Sequence, residues 1–100
     1  ITSALVKFKI SYQEVTTWTT DGFFRETSGK VLQAKELGAV TVEMECAALA
    51  ACAEFRKIDF AELLFTADSL ADLANHDNRS WGSASYQVGF EVGIKVLSNI

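Results

Sequence analysis

Proline is absent from these 100 residues, and no apolar run approaches the roughly 18 residues that a membrane span requires. The first absence carries no functional meaning. The second excludes a helical span, and because no charged-then-apolar leader opens the chain, a soluble protein is expected. Methionine is missing from the first position, so a chain that begins at Ile1 reads as processed or excised. Basic residues number 9 against 13 acidic ones, the net charge is −4, and lysine and arginine form no cluster. A nucleic-acid surface needs a basic stripe to neutralise phosphates, so nucleic acid is not an expected partner. A small phosphorylated ligand stays open, since a few backbone amides and one arginine suffice to bind it. None of the six glycines forms the spaced sets of a dinucleotide or Walker loop. The two cysteines, Cys46 and Cys52, lie six apart in one predicted helix and so face different ways. They are expected to be buried, reduced thiols of a cytoplasmic protein. The single histidine, His76, sits among Asn75, Asp77 and Asn78 and reads as an exposed loop residue.

What is present is enough for one small globular domain, with 49% hydrophobic and 22% charged residues. Residues 2 to 9 read as a helix end. Tyr12 to Thr20 is rich in Tyr, Val, Thr and Trp and reads as a strand that Asp21-Gly22 breaks. Thr27 or Ser28 caps a helix from about Lys30 to Leu37, which Gly38 closes. A strand over residues 39 to 43 follows, then a helix from about Glu45 to Arg56, a strand from about Asp59 to Ala67, and a polar loop from Asp68 to Gly82. In the last helix, from near Ser83, Tyr86, Phe90, Ile94 and Leu97 share one face. The order α-β-α-β-α-β-loop-α predicts an α/β fold of three α/β/α layers around a mostly parallel or mixed sheet. Three strands make a narrow sheet whose apolar centre needs covering on both faces. The 100 residues therefore read as an incomplete portion of a larger domain.

The candidate chemistry sits at strand ends, where open α/β sheets place their ligands. In Val42-Glu43-Met44-Glu45 two acids flank a methionine just before an alanine-rich helix. They are either solvated acids at a helix start, favoured there by the macrodipole, or acceptors for vicinal sugar hydroxyls, which the two oxygens of a carboxylate match. Asp68 follows an apolar run, and is either a turn residue or a partly buried acid able to donate a proton. Arg79 either orients Asp68 or pairs on the surface with Asp72 or Asp77. Of Phe23 and Phe24, at least one is expected in the core, and the other offers a face on which a heterocycle stacks. An aromatic plate, a hydroxyl acceptor and a proton donor together suit a nucleoside.

Three segments carry a resemblance. Thr19-Thr20-Asp21-Gly22-Phe23-Phe24-Arg25-Glu26, Val42-Glu43-Met44-Glu45-Cys46-Ala47-Ala48-Leu49 and Leu64-Phe65-Thr66-Ala67-Asp68-Ser69 resemble, in order and spacing, successive motifs of the purine nucleoside and uridine phosphorylase family. The resemblance covers the C-terminal part of that family's single domain, over residues 1–100. It implies a phosphorylase/hydrolase-like fold and an enzyme of nucleoside salvage that splits the N-glycosidic bond with inorganic phosphate as co-substrate, without cofactor or metal. It further implies Phe23 stacking on the base, Met44 and Glu45 holding the ribose with Glu43 nearby, Asp68 protonating a purine at N7, and Arg79 assisting Asp68. The glutamine by which pyrimidine enzymes read uracil is missing from Arg25-Glu26-Thr27-Ser28-Gly29, which favours a purine. The implied partners are nucleoside, phosphate, the missing N-terminal half of the domain and further copies in a homo-oligomer. The alternatives are a fragment of a hydrolytic nucleosidase and an inactive subdomain that acts only by association.

Overall fold

The structure, a computed structural model, describes residues 1–100. They divide into two compact units, one of residues 14–62 and one of residues 1–13 with 63–100. In the first, Thr16–Thr19 forms β1, whose β-branched threonines suit a pleated, half-buried surface. A short 3₁₀ turn, Phe23–Arg25, leads to helix α2, Ser28–Glu36. That helix ends where Leu37 N donates to Gln33 O and Gly38 N to Lys35 O. Gly38 has φ +86°, a left-handed conformation that glycine adopts without a side-chain clash. Strand β2, Ala39–Glu43, then pairs in parallel with β1, placing Trp18 opposite Val42 and Thr19 opposite Glu43. Parallel neighbours cannot be joined by a tight turn, and α2 supplies the crossover. Helix α3, Cys46–Arg56, follows β2 and closes at the left-handed Lys57, with Ile58 N donating to Ala53 O. Val31 of α2 and Ala53 of α3 are buried.

The second unit pairs helix α1, Thr2–Lys7, with helix α4, Tyr86–Leu97. Ala4 and Leu5 pack with Val92 and Val96, flanked by the partly buried Ile10 and Leu63. At the edge of this cluster Lys7 Nζ donates to Asn99 Oδ1 at 2.7 Å. Between Leu63 and α4 the chain makes one antiparallel bridge, Ser69 with Asp77, and a 3₁₀ segment, Arg79–Ser85.

Helix and strand together make this an α/β structure. Three expectations need correcting. The strand expected from Tyr12 begins only at Thr16, because Thr16 is opposite Ala39, the first residue of β2, and the residues before it have no ladder partner. The strand expected over residues 59–67 does not form: the sheet has two strands, and an apolar, β-prone run becomes a strand only where a neighbour takes its hydrogen bonds. Both thiols are less buried than expected, Cys46 being half-buried and Cys52 exposed. The face of α4 that Tyr86, Phe90, Ile94 and Leu97 share is exposed, while Val92 and Val96 face the core. α4 is apolar on more than one face, and the short α1 covers only one of them.

With so few buried side chains, each matters. Leu5→Ala should lower the unfolding free energy by about 2–4 kcal/mol, the usual cost of a buried leucine. The neighbouring Val6→Ala, at an exposed position, should change it by no more than about 0.5 kcal/mol. Urea denaturation followed by circular dichroism measures both, and similar midpoints for the two variants would contradict the core assignment.

Candidate functional site

The turn from β2 into α3 is organised around Glu43. A helix start leaves backbone N–H groups without partners, and one Glu43 oxygen, Oε2, accepts from Glu45 N at 2.7 Å and from Cys46 N at 2.5 Å. Its other oxygen, Oε1, accepts from the Thr19 hydroxyl, and Thr19 Oγ1 in turn accepts from Ala47 N at 3.1 Å. The end of β1 and the first turn of α3 are thus tied to one carboxylate. Thr20 N donates to Glu43 O at 2.8 Å and extends the parallel ladder to the motif that follows β1. Burial raises the Glu43 carboxyl, but the bonds from Thr19, Cys46 and Glu45, with a further one from Thr17, outweigh it and hold Glu43 below the ordinary glutamate value.

With Glu43 committed to the backbone, the two residues after it stay open. Met44 and Glu45 are exposed, and Glu45 Oε2 accepts only a long bond, 3.2 Å, from Met44 N. A carboxylate in that state has acceptor capacity for an incoming hydroxyl pair. Phe23 and Phe24 lie just past the same C-terminal end of the sheet. Neither is in the core, against expectation: they are 78% and 73% exposed and meet edge to face, with ring centroids 5.8 Å apart. Asp21-Gly22 ends β1 and turns the pair outward. Cys46 opens α3 with its thiol hydrogen-bonded to Glu62; that bond first, then burial and the negative charges of Glu62 and Glu43, pushes the thiol up and away from thiolate chemistry.

The other two candidates belong to the second unit. Asp68 is half-buried, and its Oδ2 lies 2.7 Å from His76 Nε2. His76 is exposed in its loop, as expected, and is the partner of this acid. Arg79 takes the surface alternative, with its Nε and its backbone N donating to the two Asp77 oxygens at 3.0 and 3.1 Å. That arginine holds Asp77 below the ordinary aspartate range. Asp72 is held low in the same sense by Asn75 and the Ala74 amide. Nearby, Phe65, Ala67, Gly82, Tyr86, Gly89 and Phe90 line an apolar cavity of about 220 Å³. Gly82 is required there, since a Cβ would come within 3.0 Å of the Ala67 Cβ and its φ is +75°.

Two participants escaped sequence reasoning. Thr19 was legible as part of a motif but not as the bridge between Glu43 and α3, because a threonine in a strand carries no mark of what its hydroxyl meets. His76 lies eight residues from Asp68, and only the closure of the intervening loop brings them together. No group of His, Cys, Asp and Glu side chains is arranged to hold a metal ion, and no helix is long and apolar enough to cross a membrane.

Compared with known proteins, residues 1–97 match a family model described as the phosphorylase superfamily. No curated protein and no solved structure matches the chain.

Glu43 sets a pH dependence with a definite sign. Its carboxyl is depressed in the fold, so its stabilisation is complete above the ordinary glutamate value of 4.5 and is lost as the pH falls through the depressed value. Glu43→Gln should therefore lower the thermal midpoint at pH 7, and the difference from the unsubstituted chain should shrink progressively as the pH falls below 4.5. Equal midpoints at pH 7 would show that the carboxylate does not hold the turn.

Proposed function

The chain belongs to the phosphorylase superfamily, and from that membership and the geometry above we propose that it supplies the ribose- and base-binding half of a nucleoside phosphorylase. The proposed reaction splits the N-glycosidic bond of a purine nucleoside with inorganic phosphate, as nucleoside salvage requires. One observation carries the reading: Glu43 is spent on the helix start and on Thr19, which leaves Glu45 and Met44 presented to solvent at the end of a parallel strand. An acceptor for sugar hydroxyls, an apolar surface beside it, and an exposed aromatic past the neighbouring strand are what a nucleoside needs.

In this reading Phe23 stacks on the base, Met44 packs against the sugar, and Glu45 accepts from the ribose hydroxyls with Glu43 fixing its backbone. Bond cleavage puts positive charge on the sugar and negative charge on the departing base. Glu45 favours the first by holding the ring and lying close to it. Asp68 answers the second by giving a proton to the base, a contribution typically worth about 10² to 10⁴ in rate. Arg79 acts on this acid indirectly, since its own bonds go to Asp77. The phosphate-binding groups lie outside these residues, and the 100 residues are the C-terminal portion of a single domain. No cofactor or metal takes part, and the setting is cytoplasmic. The uncovered stripe of α4, with Tyr86, Phe90, Ile94 and Leu97 exposed, supports association with the rest of the domain and with further copies.

The test is to incubate the full-length gene product with inosine and phosphate. Ribose 1-phosphate and hypoxanthine are the expected products. Free ribose instead would make the protein a nucleosidase, and no cleavage would sink the reading. Glu45→Gln weakens charge-assisted bonds of about 1.5–3 kcal/mol, so kcat/KM should fall roughly 10- to 100-fold. Asp68→Asn should act mainly on kcat, by about 10² to 10⁴. The isolated 100 residues should show little or no phosphorolysis, and a normal enzyme rate from them would contradict the assignment of phosphate binding elsewhere.

A further inference from the structure

We propose that His76 delivers, through Asp68, the proton that the departing base takes up; this rests on the reading of Asp68 as the acid. The geometry points to it from several sides. His76 Nε2 is 2.7 Å from Asp68 Oδ2, and both side chains are partly exposed, at 44% and 33%. Ser69 N donates to Asp77 O at 2.8 Å, one residue beyond each partner, so the loop between them is clipped shut at the point where they meet. The imidazole also lies against the Trp81 ring, with centroids 5.6 Å apart and planes at 55°. Trp81 is tied to α4 by the Tyr86 hydroxyl, which donates to Trp81 O at 3.2 Å. The charged neighbours are otherwise engaged: Asp77 is bound by Arg79, and Asp72 by Asn75 and the Ala74 amide. Arg79 therefore does not compete with His76 for Asp68, and Asp77, which also feels the His76 charge, has its carboxylate hydrogen-bonded by Arg79.

Four consecutive residues, Arg79 to Gly82, have φ between +41° and +75°. Three of them are not glycine, and left-handed backbone is unfavourable for such residues. The segment is held by Ser80 N donating to Asn78 Oδ1 at 3.0 Å and by the two Arg79–Asp77 bonds. Its effect is to bring Trp81 back against His76, so the conformation places a wall behind the imidazole.

Histidine is the side chain that most readily exchanges a proton near neutral pH. In the proposed step the His76 Nε2–H bond breaks and its proton passes to the Asp68 carboxylate. The new Asp68 O–H bond then breaks as an N–H bond forms on the base, while the electron pair of the glycosidic bond leaves with the base. A phosphate oxygen forms the new bond to the sugar carbon that the base leaves; Asp68 ends as carboxylate and His76 as neutral imidazole, and the proton that phosphate gives up returns through water to His76. His76 does not meet the base in this scheme and is a positioning and proton-relaying residue.

The test compares inosine with 7-methylinosine in the full-length protein. The methylated base already carries positive charge and departs without taking a proton. His76→Gln should lower the ratio of the inosine rate to the 7-methylinosine rate by about tenfold or more, within the range of general acid catalysis. In His76→Ala, added imidazole should restore part of the inosine rate. Equal losses on both substrates, or no response to imidazole, would overturn the relay and leave His76 a packing residue. A selective inosine loss in Asp68→Asn without one in His76→Gln would overturn the relay while sustaining Asp68 as the acid. If the unsubstituted protein cleaves neither nucleoside, the glycosidic reading itself fails and the relay with it.

Discussion

The carboxylate of Glu43 is the interaction on which the 14–62 unit depends. It ends β2, receives the amides that open α3, and accepts the hydroxyl that ends β1. A strand-to-helix turn of this kind must satisfy donors that the helix cannot, and an acid three residues ahead of the helix does so with charge as well as geometry. The consequence is a division of labour between two glutamates that look alike on paper. Glu43 is consumed by the scaffold, and Glu45 is released to solvent. Thr19 is the complement of this arrangement, since its one hydroxyl donates to Glu43 and accepts from Ala47. The parallel register, with Thr19 opposite Glu43, is what makes the threonine available at the right height.

The second unit is organised by loop closure in place of a ladder. Leu5 and Ala4 meet Val92 and Val96, and that small cluster joins the two ends of the chain. Between them the Ser69–Asp77 bridge shortens a nine-residue excursion to a single crossing, which places Asp68 and His76 side by side. The left-handed run that follows brings Trp81 to the imidazole and Gly82 to Ala67. Acid, histidine and tryptophan thus become one arrangement only because the backbone between them accepts unfavourable torsions.

The phosphorylase-superfamily motifs were legible because each is a local pattern with a local cause. Asp21-Gly22 breaks a strand, Gly38 ends a helix with a left-handed residue, and Ala39-Val40-Thr41-Val42 has the shape a strand prefers. The boundaries of α2, β2 and α3 follow from such signals to within two residues. Where the reading failed, the missing term was a partner. Asp59 to Ala67 carries strand composition but has no neighbouring ladder, and Phe23-Phe24 carries core composition but lies beyond a turn that faces outward. In α4, which is apolar on two faces, the spacing leaves open which of them α1 covers.

Taken by itself, the amino-acid order determined the family, the α/β character, the places where strands give way to helices, and the identities of the acids and aromatics at those places. These are consequences of propensity, turn chemistry and motif spacing, all of which act within a few residues. The tertiary structure decided which of two neighbouring glutamates is free, which side chain meets Asp68, and that Arg79 is bound to Asp77. The first and third rest on bonds between residues two apart and the second on a bond across a loop, and such bonds exist only once backbone geometry has brought donor and acceptor within about 3 Å of each other.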